Sequence, residues 1–223
     1  MAQTPRTVIF DLDRTLISCD SFAGCLNSLL LRDWWRLGGV VAASPVLLPL
    51  WATTLTRPGA LWGLLWCATV GLKVEEFASH LSAHGERLAS QAESAVYRDG
   101  VQAVKSHQEA GDRVVVVTGS SAELASAFCA ALGLKDVRVV GSTFRACGGG
   151  WVVDDHCAGR RKVELLAAAS ITPPWAVVYT DSASDLPLLR LAQRRCVVNA
   201  RPGTLRALTR ALGAGHFEVV RWQ

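Results

Sequence analysis

Short apolar runs alternate with amphipathic stretches along most of this chain. The runs are rich in β-branched or aromatic residues and do not alternate with polar ones, so they predict buried strands, at residues 7–10, 113–117, 137–140, 175–179 and 196–198. The amphipathic stretches predict helices, at residues 21–37, 75–93, 100–110, 122–132, 162–169 and 185–192. Residues 143–153 centre on three glycines and predict a hairpin. This order predicts an α/β protein with a parallel sheet covered on both faces.

Two long uncharged runs, residues 37–56 and 58–72, interrupt this alternation. The first is just long enough to cross a bilayer, but Pro45 and Pro49 would kink a helix there, and the second is too short. Strands of one sheet precede and follow both runs, so both ends of the insertion must lie on the same side of any membrane. A single membrane span is therefore excluded.

The residues in and around these runs favour a membrane surface. Tryptophan prefers the headgroup zone of a bilayer, and basic residues bind anionic lipid phosphates. The tryptophans in or beside these runs are Trp34, Trp35, Trp51, Trp62 and Trp66, and the basic residues are Arg32, Arg36, Arg57 and Lys73. We expect a re-entrant or interfacial hairpin of helices. The alternative is a water-soluble cap whose apolar residues pack on one another or at a dimer interface.

Composition narrows the class of protein further. The 223 residues suit one domain with a small insertion, and the mean hydropathy of +0.26 is high for a soluble enzyme. A net charge of +4 gives little support for nucleic-acid binding. The seven cysteines form no C-x-x-C pair, and no signal peptide is evident, which favours a reducing cytoplasm. We interpret them as packing residues rather than zinc ligands.

Carboxylates follow two of the predicted strands. Asp11 and Asp13 come directly after the first strand, where a divalent cation, preferably Mg²⁺, would relieve their mutual repulsion. A carboxylate there could attack phosphorus while the second transfers protons. Asp181 and Asp185 follow the strand at 175–179 and could bind or support a metal. Taken singly, each pair could equally close a loop or cap a helix.

Two further elements are compatible with phosphate chemistry. Thr118 and Gly119 end a strand just before a predicted helix, where a hydroxyl could bind a phosphate oxygen. An ordinary helix cap by Ser120 or Ser121 is the alternative. Lys162 could neutralise a nucleophile and a phosphate, although a surface basic cluster would look the same.

The order of these motifs resembles that of the haloacid dehalogenase superfamily of aspartate-nucleophile phosphatases. The resemblance implies a Rossmann-like parallel sheet with a helical cap inserted after the first strand. It implies that Asp11 is the nucleophile and Asp13 the general acid/base. Thr118 and Gly119 would bind the phosphoryl group, and Lys162 would stabilise the aspartyl-phosphate. Mg²⁺ would be held by Asp11, Asp181 and the main-chain carbonyl of Asp13, with Asp185 supporting the metal or the lysine.

The chain departs from the family pattern at two positions. Arg14 stands where the commonest motif has glycine, and it could bias the substrate toward acidic groups. Asp20 stands where phosphoserine phosphatases have a glutamate that binds the substrate amine, so amino-acid substrates are in doubt. The apolar cap and the hairpin look closer to phosphatidylglycerophosphatase C-type proteins, which share Leu64-Leu65-Trp66, Thr69-Val70-Gly71, Tyr179 to Asp181 and Asp185 to Leu189.

We therefore expect a catalytic core at residues 1–18 and 96–223 and an apolar helical cap at residues 19–95. The expected activity is Mg²⁺-dependent hydrolysis of a phosphomonoester, on a phospholipid head group such as phosphatidylglycerophosphate at the cytoplasmic face of the inner membrane. One alternative is a soluble phosphatase for a small metabolite such as phosphoserine. The other is an inactive membrane-binding regulatory module. The sequence leaves the oligomeric state open.

Overall fold

The computed structural model describes residues 5–53 and 57–223. Its helices and strands follow one another in the order β1 (Thr7–Phe10), α1 (Ser21–Arg32), α2 (Trp34–Trp51), α3 (Arg57–Thr69), α4 (Val74–Ser90), α5 (Ala92–Ala95), α6 (Arg98–Glu109), β2 (Arg113–Ser121), α7 (Ala122–Ala131), β3 (Arg138–Cys147), β4 (Gly150–Asp155), α8 (Arg160–Ala168), β5 (Trp175–Thr180), α9 (Leu186–Arg190), β6 (Ala192–Val198), α10 (Pro202–Leu212) and β7 (Glu218–Val220). A short 3₁₀ turn, Ala183–Asp185, precedes α9.

The strands form one sheet in the order β4-β3-β2-β1-β5-β6-β7. Every neighbouring pair is parallel except β3 and β4, which form the expected hairpin. Successive side chains of a strand point to opposite faces, so Val8 and Phe10 join one apolar core while Ile9 joins the other. The α/β prediction is confirmed. β1 lies between β2 and β5, which places its carboxyl end where ligands bind in such sheets.

Several boundaries differ from the sequence prediction. The helix expected at residues 21–37 is two helices, because Asp33 adopts an extended conformation (φ −133°, ψ 122°) and separates α1 from α2. The strand at 137–140 continues into the hairpin as β3. The helix expected at 185–192 ends at Arg190, because Ala192 already pairs with Trp175 in the sheet. The sequence pattern did not predict α10 or the three-residue strand β7.

The insertion between β1 and β2 consists mainly of α1 to α4. Helices α2 and α3 pack closely, since a Cβ on Gly63 would lie 2.6 Å from Leu47 Cδ2. Helix α2 continues through Pro45 and Pro49. Within the described residues, no helix combines the length and apolarity needed to cross a membrane. The last part of the first uncharged run, residues 54–56, lies outside the described residues.

The β3–β4 hairpin attaches this insertion to the sheet. Trp66 Nε1 donates to the Cys147 carbonyl at 2.9 Å, and Gly71 N donates to the Gly149 carbonyl at 2.7 Å. The Trp151 amide donates to Thr69 Oγ1 at 2.9 Å. Two sequence segments quoted for the C-type resemblance, residues 64–66 and 69–71, therefore meet the glycine hairpin in space.

One of the proposed lipid-binding cations is used inside the protein. Arg36 is 3% exposed, forms an ion pair with Asp33 at 2.9 Å, and donates to the carbonyls of Ala68 and Val70. The expectation that Arg36 contacts lipid phosphates is therefore wrong. Arg32 and Lys73 are exposed, and the side chain of Arg57 lies outside the described part of the chain.

Candidate active site

The ends of β1, β2 and β5 bring the predicted site residues to one edge of the sheet. Asp11 follows β1 directly, and its amide continues the pairing with β5 by donating to the Tyr179 carbonyl at 2.9 Å. Asp181 follows β5, and Lys162 lies in the first turn of α8. Asp11 and Lys162 are 151 positions apart in sequence but form a direct ion pair.

Lys162 holds two buried carboxylates. Its Nζ donates to Asp11 Oδ1 at 2.7 Å and to Asp185 Oδ2 at 2.9 Å. Thr180 Oγ1 also donates to Asp185 Oδ2, at 2.7 Å. Asp185 occupies the position before α9 without capping it, so the helix-cap alternative does not describe its side chain. Its other oxygen, Oδ1, is buried and has no hydrogen-bond partner among the residues that the structure describes.

Burial and neighbouring charges shift the pKa values of Asp11, Lys162 and Asp181. It raises the pKa of Asp11 to about 7, against the opposing charge of Lys162 and with help from the charge of Asp185. Burial alone would lower the pKa of Lys162, but the charges of Asp11 and Asp185 outweigh it and raise that pKa. Burial also raises the pKa of Asp181. Burial therefore disfavours the charged forms of Asp11 and Asp181, and nearby positive charge favours them.

Asp13 is oriented by the start of the insertion. Its Oδ1 accepts a hydrogen bond from the Ser21 amide at 2.7 Å. Burial raises the pKa of Asp13 to about 6, although the Ser21 hydrogen bonds oppose this shift. A carboxyl group with such a pKa can both donate and accept a proton near neutral pH.

The two departures from the family pattern lie beside this carboxyl group. Asp20 caps α1 by accepting the Ala23 amide at 2.9 Å, and it also lines the cavity described below. Arg14 is exposed, lines the same cavity and has a left-handed backbone with φ 57°.

The last residues of β2, 118–120, which we call the β2 turn because the pairing with β3 is irregular there, differ in detail from the expectation. Thr118 is fully buried, and its hydroxyl accepts the Ser120 amide at 3.0 Å, so Gly119 and Ser120 line the cavity in front of it. Ser120 Oγ accepts from Ser21 Oγ at 2.8 Å, which joins the turn to α1. Ser121 caps α7, so capping falls to Ser121 while Ser120 faces the cavity.

Sequence reasoning missed two residues of the cavity wall, Ser142 and His156. Ser142 Oγ donates to the Gly119 carbonyl at 2.7 Å and lies 3.2 Å from His156 Nδ1. Burial and the nearby charge of Lys162 lower the pKa of His156. Both residues reach the site through the β3–β4 hairpin. Ser142 and His156 flank the paired residues of that hairpin, 143–155, and no local sequence pattern marked them.

One cavity of about 510 Å³ is lined by most of these groups, but not by Thr118. Its base holds the carboxylates and Lys162. Its upper wall is apolar and comes from the insertion and the hairpin, with Phe22, Leu26, Leu30, Trp51, Leu61, Leu64, Leu65, Phe144 and Val153. Phe22 of α1 stacks on Phe144 of β3 with ring centroids 5.1 Å apart, which closes the wall between the two parts. This size suits a small organic ligand.

Residues 8–190 match the family model of haloacid dehalogenase-like hydrolases. The chain belongs to this family. As a haloacid dehalogenase-like hydrolase it carries an aspartate directly after β1, and Lys162 contacts that aspartate. The family match and these residues together identify an enzyme of the phosphatase class.

Solved structures share this hydrolase fold at low identity. One is a protein of unknown function from Bordetella pertussis Tohama I, with 23% identity and a TM-score of 0.65, over 97% of this chain and 99% of that one. A substrate-bound phosphoserine phosphatase has 13% identity and a TM-score of 0.58, over 92% and 91% of the two chains. A cytosolic 5′-nucleotidase IIIB bound to cytidine has 10% identity and a TM-score of 0.57, over 97% and 80%.

The donors in the site suit the Mg²⁺ that the family resemblance implies. Among the described residues, no group of three or more His, Cys, Asp and Glu side chains has the arrangement of a metal site. The implied set does not need one, since it combines carboxylates of Asp11 and Asp181 with the main-chain carbonyl of Asp13. These are hard oxygen donors, and the unpartnered Oδ1 of Asp185 leaves a further acceptor for a metal-bound water.

Proposed function

We propose that this phosphatase hydrolyses phosphomonoesters through an aspartyl-phosphate on Asp11, with Mg²⁺ as cofactor. The observation that carries the proposal is the buried contact of Lys162 with both Asp11 and Asp185, at the edge of the sheet and at the base of a cavity. This arrangement orients one carboxylate toward an incoming phosphate and supplies a fixed positive charge beside it. Phosphoryl transfer depends mainly on such positioning and charge neutralisation.

In the first step, the carboxylate of Asp11 attacks phosphorus and the bond from phosphorus to the ester oxygen breaks. Asp13 gives its proton to the departing alkoxide. In the second step, Asp13 takes a proton from water as that water attacks phosphorus, which releases inorganic phosphate and regenerates Asp11. Bound Mg²⁺ would supply positive charge that offsets the carboxylates and the phosphoryl oxygens.

The remaining residues of the site would position the substrate or the catalytic groups. The turn of Gly119 and Ser120 would bind phosphoryl oxygens, and the buried Thr118 hydroxyl would hold that turn in shape. Asp185 would keep Lys162 in place. Arg14 and Asp20 lie at the cavity wall, where they would contact the part of the substrate beyond the phosphate.

For the substrate we propose a phospholipid head group at a membrane surface. Support comes from the exposed apolar side chains of the insertion, which we call the α2–α3 surface: Trp34, Leu37, Val41, Val46, Leu48, Trp51, Leu61, Trp62 and Trp66. Trp34 is 85% exposed and Val41 70%. Large exposed apolar side chains on two packed helices are typical of interaction sites, and tryptophan is typical of the membrane interface. The proposed location is the cytoplasmic face of the inner membrane.

A soluble small-metabolite phosphatase is the second candidate. It is supported by the shared fold with phosphoserine phosphatase and by the position of Asp20 at the cavity wall. An acidic side chain there could bind a substrate amine.

One assay tests the reaction class and the substrate class separately. The full-length chain would be given p-nitrophenyl phosphate, phosphoserine and a phospholipid phosphomonoester in detergent micelles, with Mg²⁺ or with excess chelator. We expect hydrolysis only with Mg²⁺, the highest kcat/KM on the lipid, and a loss of about a thousandfold or more in Asp11→Asn. Activity in chelator or in Asp11→Asn would contradict the reaction class. A preference for phosphoserine would favour the second candidate.

A further inference from the structure

The cavity is polar at its base and apolar toward its rim. At the base lie the carboxylates and Lys162, which the phosphate chemistry accounts for. Above them the wall is formed by leucines of α1 and α3, of which Leu26, Leu30 and Leu65 are buried. A phosphate and a short polar head group would leave this part of the cavity without a ligand to contact.

The apolar wall reaches the outside of the protein. Trp51 and Leu61 line the cavity and also belong to the exposed α2–α3 surface. The apolar lining is therefore continuous from the catalytic carboxylates to the exposed apolar patch. Asn27 and Asp20 are the polar side chains that the insertion contributes to the lining within the described residues.

We propose that this wall is a binding subsite for a hydrocarbon chain of the substrate, so that the enzyme acts on amphiphilic phosphate monoesters. The proposal rests on the proposed phosphatase function. The phosphate lies against Asp11 and Lys162, and the chain lies along Leu26, Leu61 and Leu64. The chain leaves the cavity beside Trp51. Contact with apolar side chains stabilises such a chain roughly in proportion to the area that it removes from water.

The same subsite disfavours charged metabolites. A zwitterion such as an amino-acid phosphate would place its ammonium and carboxylate groups against leucine and phenylalanine side chains. Burying those charges without partners costs free energy, and Asp20 already accepts one hydrogen bond from the α1 backbone.

The test uses n-alkyl phosphates from ethyl to octyl, each kept below its micelle-forming concentration, with Mg²⁺ present. We expect kcat/KM to rise by about twofold to fourfold per methylene, up to the length of the cavity. A flat or falling series would overturn the subsite. Because the esters stay monomeric, a surface effect cannot produce the expected rise. If none of the esters is hydrolysed, the proposed function itself fails.

Single substitutions test whether the apolar wall causes the chain-length preference. Leu61→Asn and Leu64→Asn should reduce the preference for octyl over ethyl phosphate by about tenfold, mostly through a higher KM for the octyl ester. Leu48→Asn is the matched control, because Leu48 is exposed on α2 and does not line the cavity. Leu64→Trp fills the subsite and should shift the optimum to shorter chains. Equal chain-length profiles in all four variants and the parent would contradict the proposal.

Discussion

At the scale of single residues, Arg14 has an unusual backbone for its type. Its φ of 57° lies in the left-handed region, which glycine adopts without a steric penalty. The family resemblance places a glycine there, so the backbone shape is retained while the residue differs. Burial raises the pKa of Asp181 and the charge of Arg14 opposes that shift, so the guanidinium also influences the site.

Two substitutions separate the backbone effect of Arg14 from its charge. Arg14→Gly and Arg14→Ala both remove the guanidinium, but only glycine relieves the left-handed strain. We expect Arg14→Gly to be more stable than Arg14→Ala by about 1 kcal/mol in urea unfolding. Both should raise KM for anionic substrates by a similar factor. Equal stability of the two variants would contradict the strain argument.

Chain order alone predicted that several of these carboxylates would lie near one another. Asp11, Asp13 and Asp181 follow apolar strands, and the carboxyl ends of parallel strands meet at one edge. Ser142 and His156 lie in a hairpin whose packing against the site depends on tertiary structure, so no local spacing identified them. The buried orientation of Thr118 likewise depends on the hydrogen bond from the Ser120 amide.

At the scale of elements, the β3–β4 hairpin determines how the insertion sits over the sheet. Gly150 is buried against Trp66, and a Cβ on Gly150 would lie 2.7 Å from Trp66 Cδ1. The glycines of the hairpin therefore permit close approach as well as the turn. The pattern predicted the hairpin, but it could not show which helix packs against it, because the long uncharged runs have little amphipathic contrast.

Gly150→Ala should disturb this contact. The added methyl group must displace the Trp66 ring, and we expect a loss of stability of about 1–3 kcal/mol and a higher KM, because α3 contributes to the cavity wall. Gly39→Ala is the control, since among the described residues a Cβ there would meet nothing within 4 Å beyond its chain neighbours and its own helix backbone, and alanine favours the helix. Thermal unfolding and steady-state kinetics measure both effects. A Gly150→Ala protein as stable and active as Gly39→Ala would show that the contact is dispensable.

At the scale of the whole molecule, the structure joins a polar reaction centre to an apolar outer face. The parallel sheet positions the carboxylates, and the insertion presents the α2–α3 surface on its outside. The apolar strand pattern predicted where the sheet places the carboxylates, because buried strands are apolar throughout. The sequence could not show whether the insertion contacts a membrane or packs on itself, since both arrangements require the same uncharged runs.

Binding to vesicles tests the role of the α2–α3 surface. The intact chain should cosediment with vesicles of mixed neutral and anionic phospholipid. Replacing Val41, Val46 and Leu48 by serine should weaken partitioning at least about tenfold, because three exposed apolar side chains lose their burial in lipid. The control variant has serine in place of Val74 and Val219, which are exposed but lie outside the α2–α3 surface. Equal partitioning of both variants, or none by the parent, would contradict membrane docking.

The central claim is that Asp11 becomes phosphorylated during turnover. The most direct measurement is acid quenching of the Asp13→Asn variant soon after substrate is added, followed by borohydride reduction and peptide mass spectrometry. Reduction converts an aspartyl-phosphate to homoserine. With p-nitrophenyl phosphate, whose leaving group needs no proton from Asp13, the intermediate should still form in this variant and should accumulate because its hydrolysis is slowed. The account predicts substrate-dependent homoserine at position 11. Homoserine at another aspartate, or an unmodified Asp11 while phosphate is released, would contradict it.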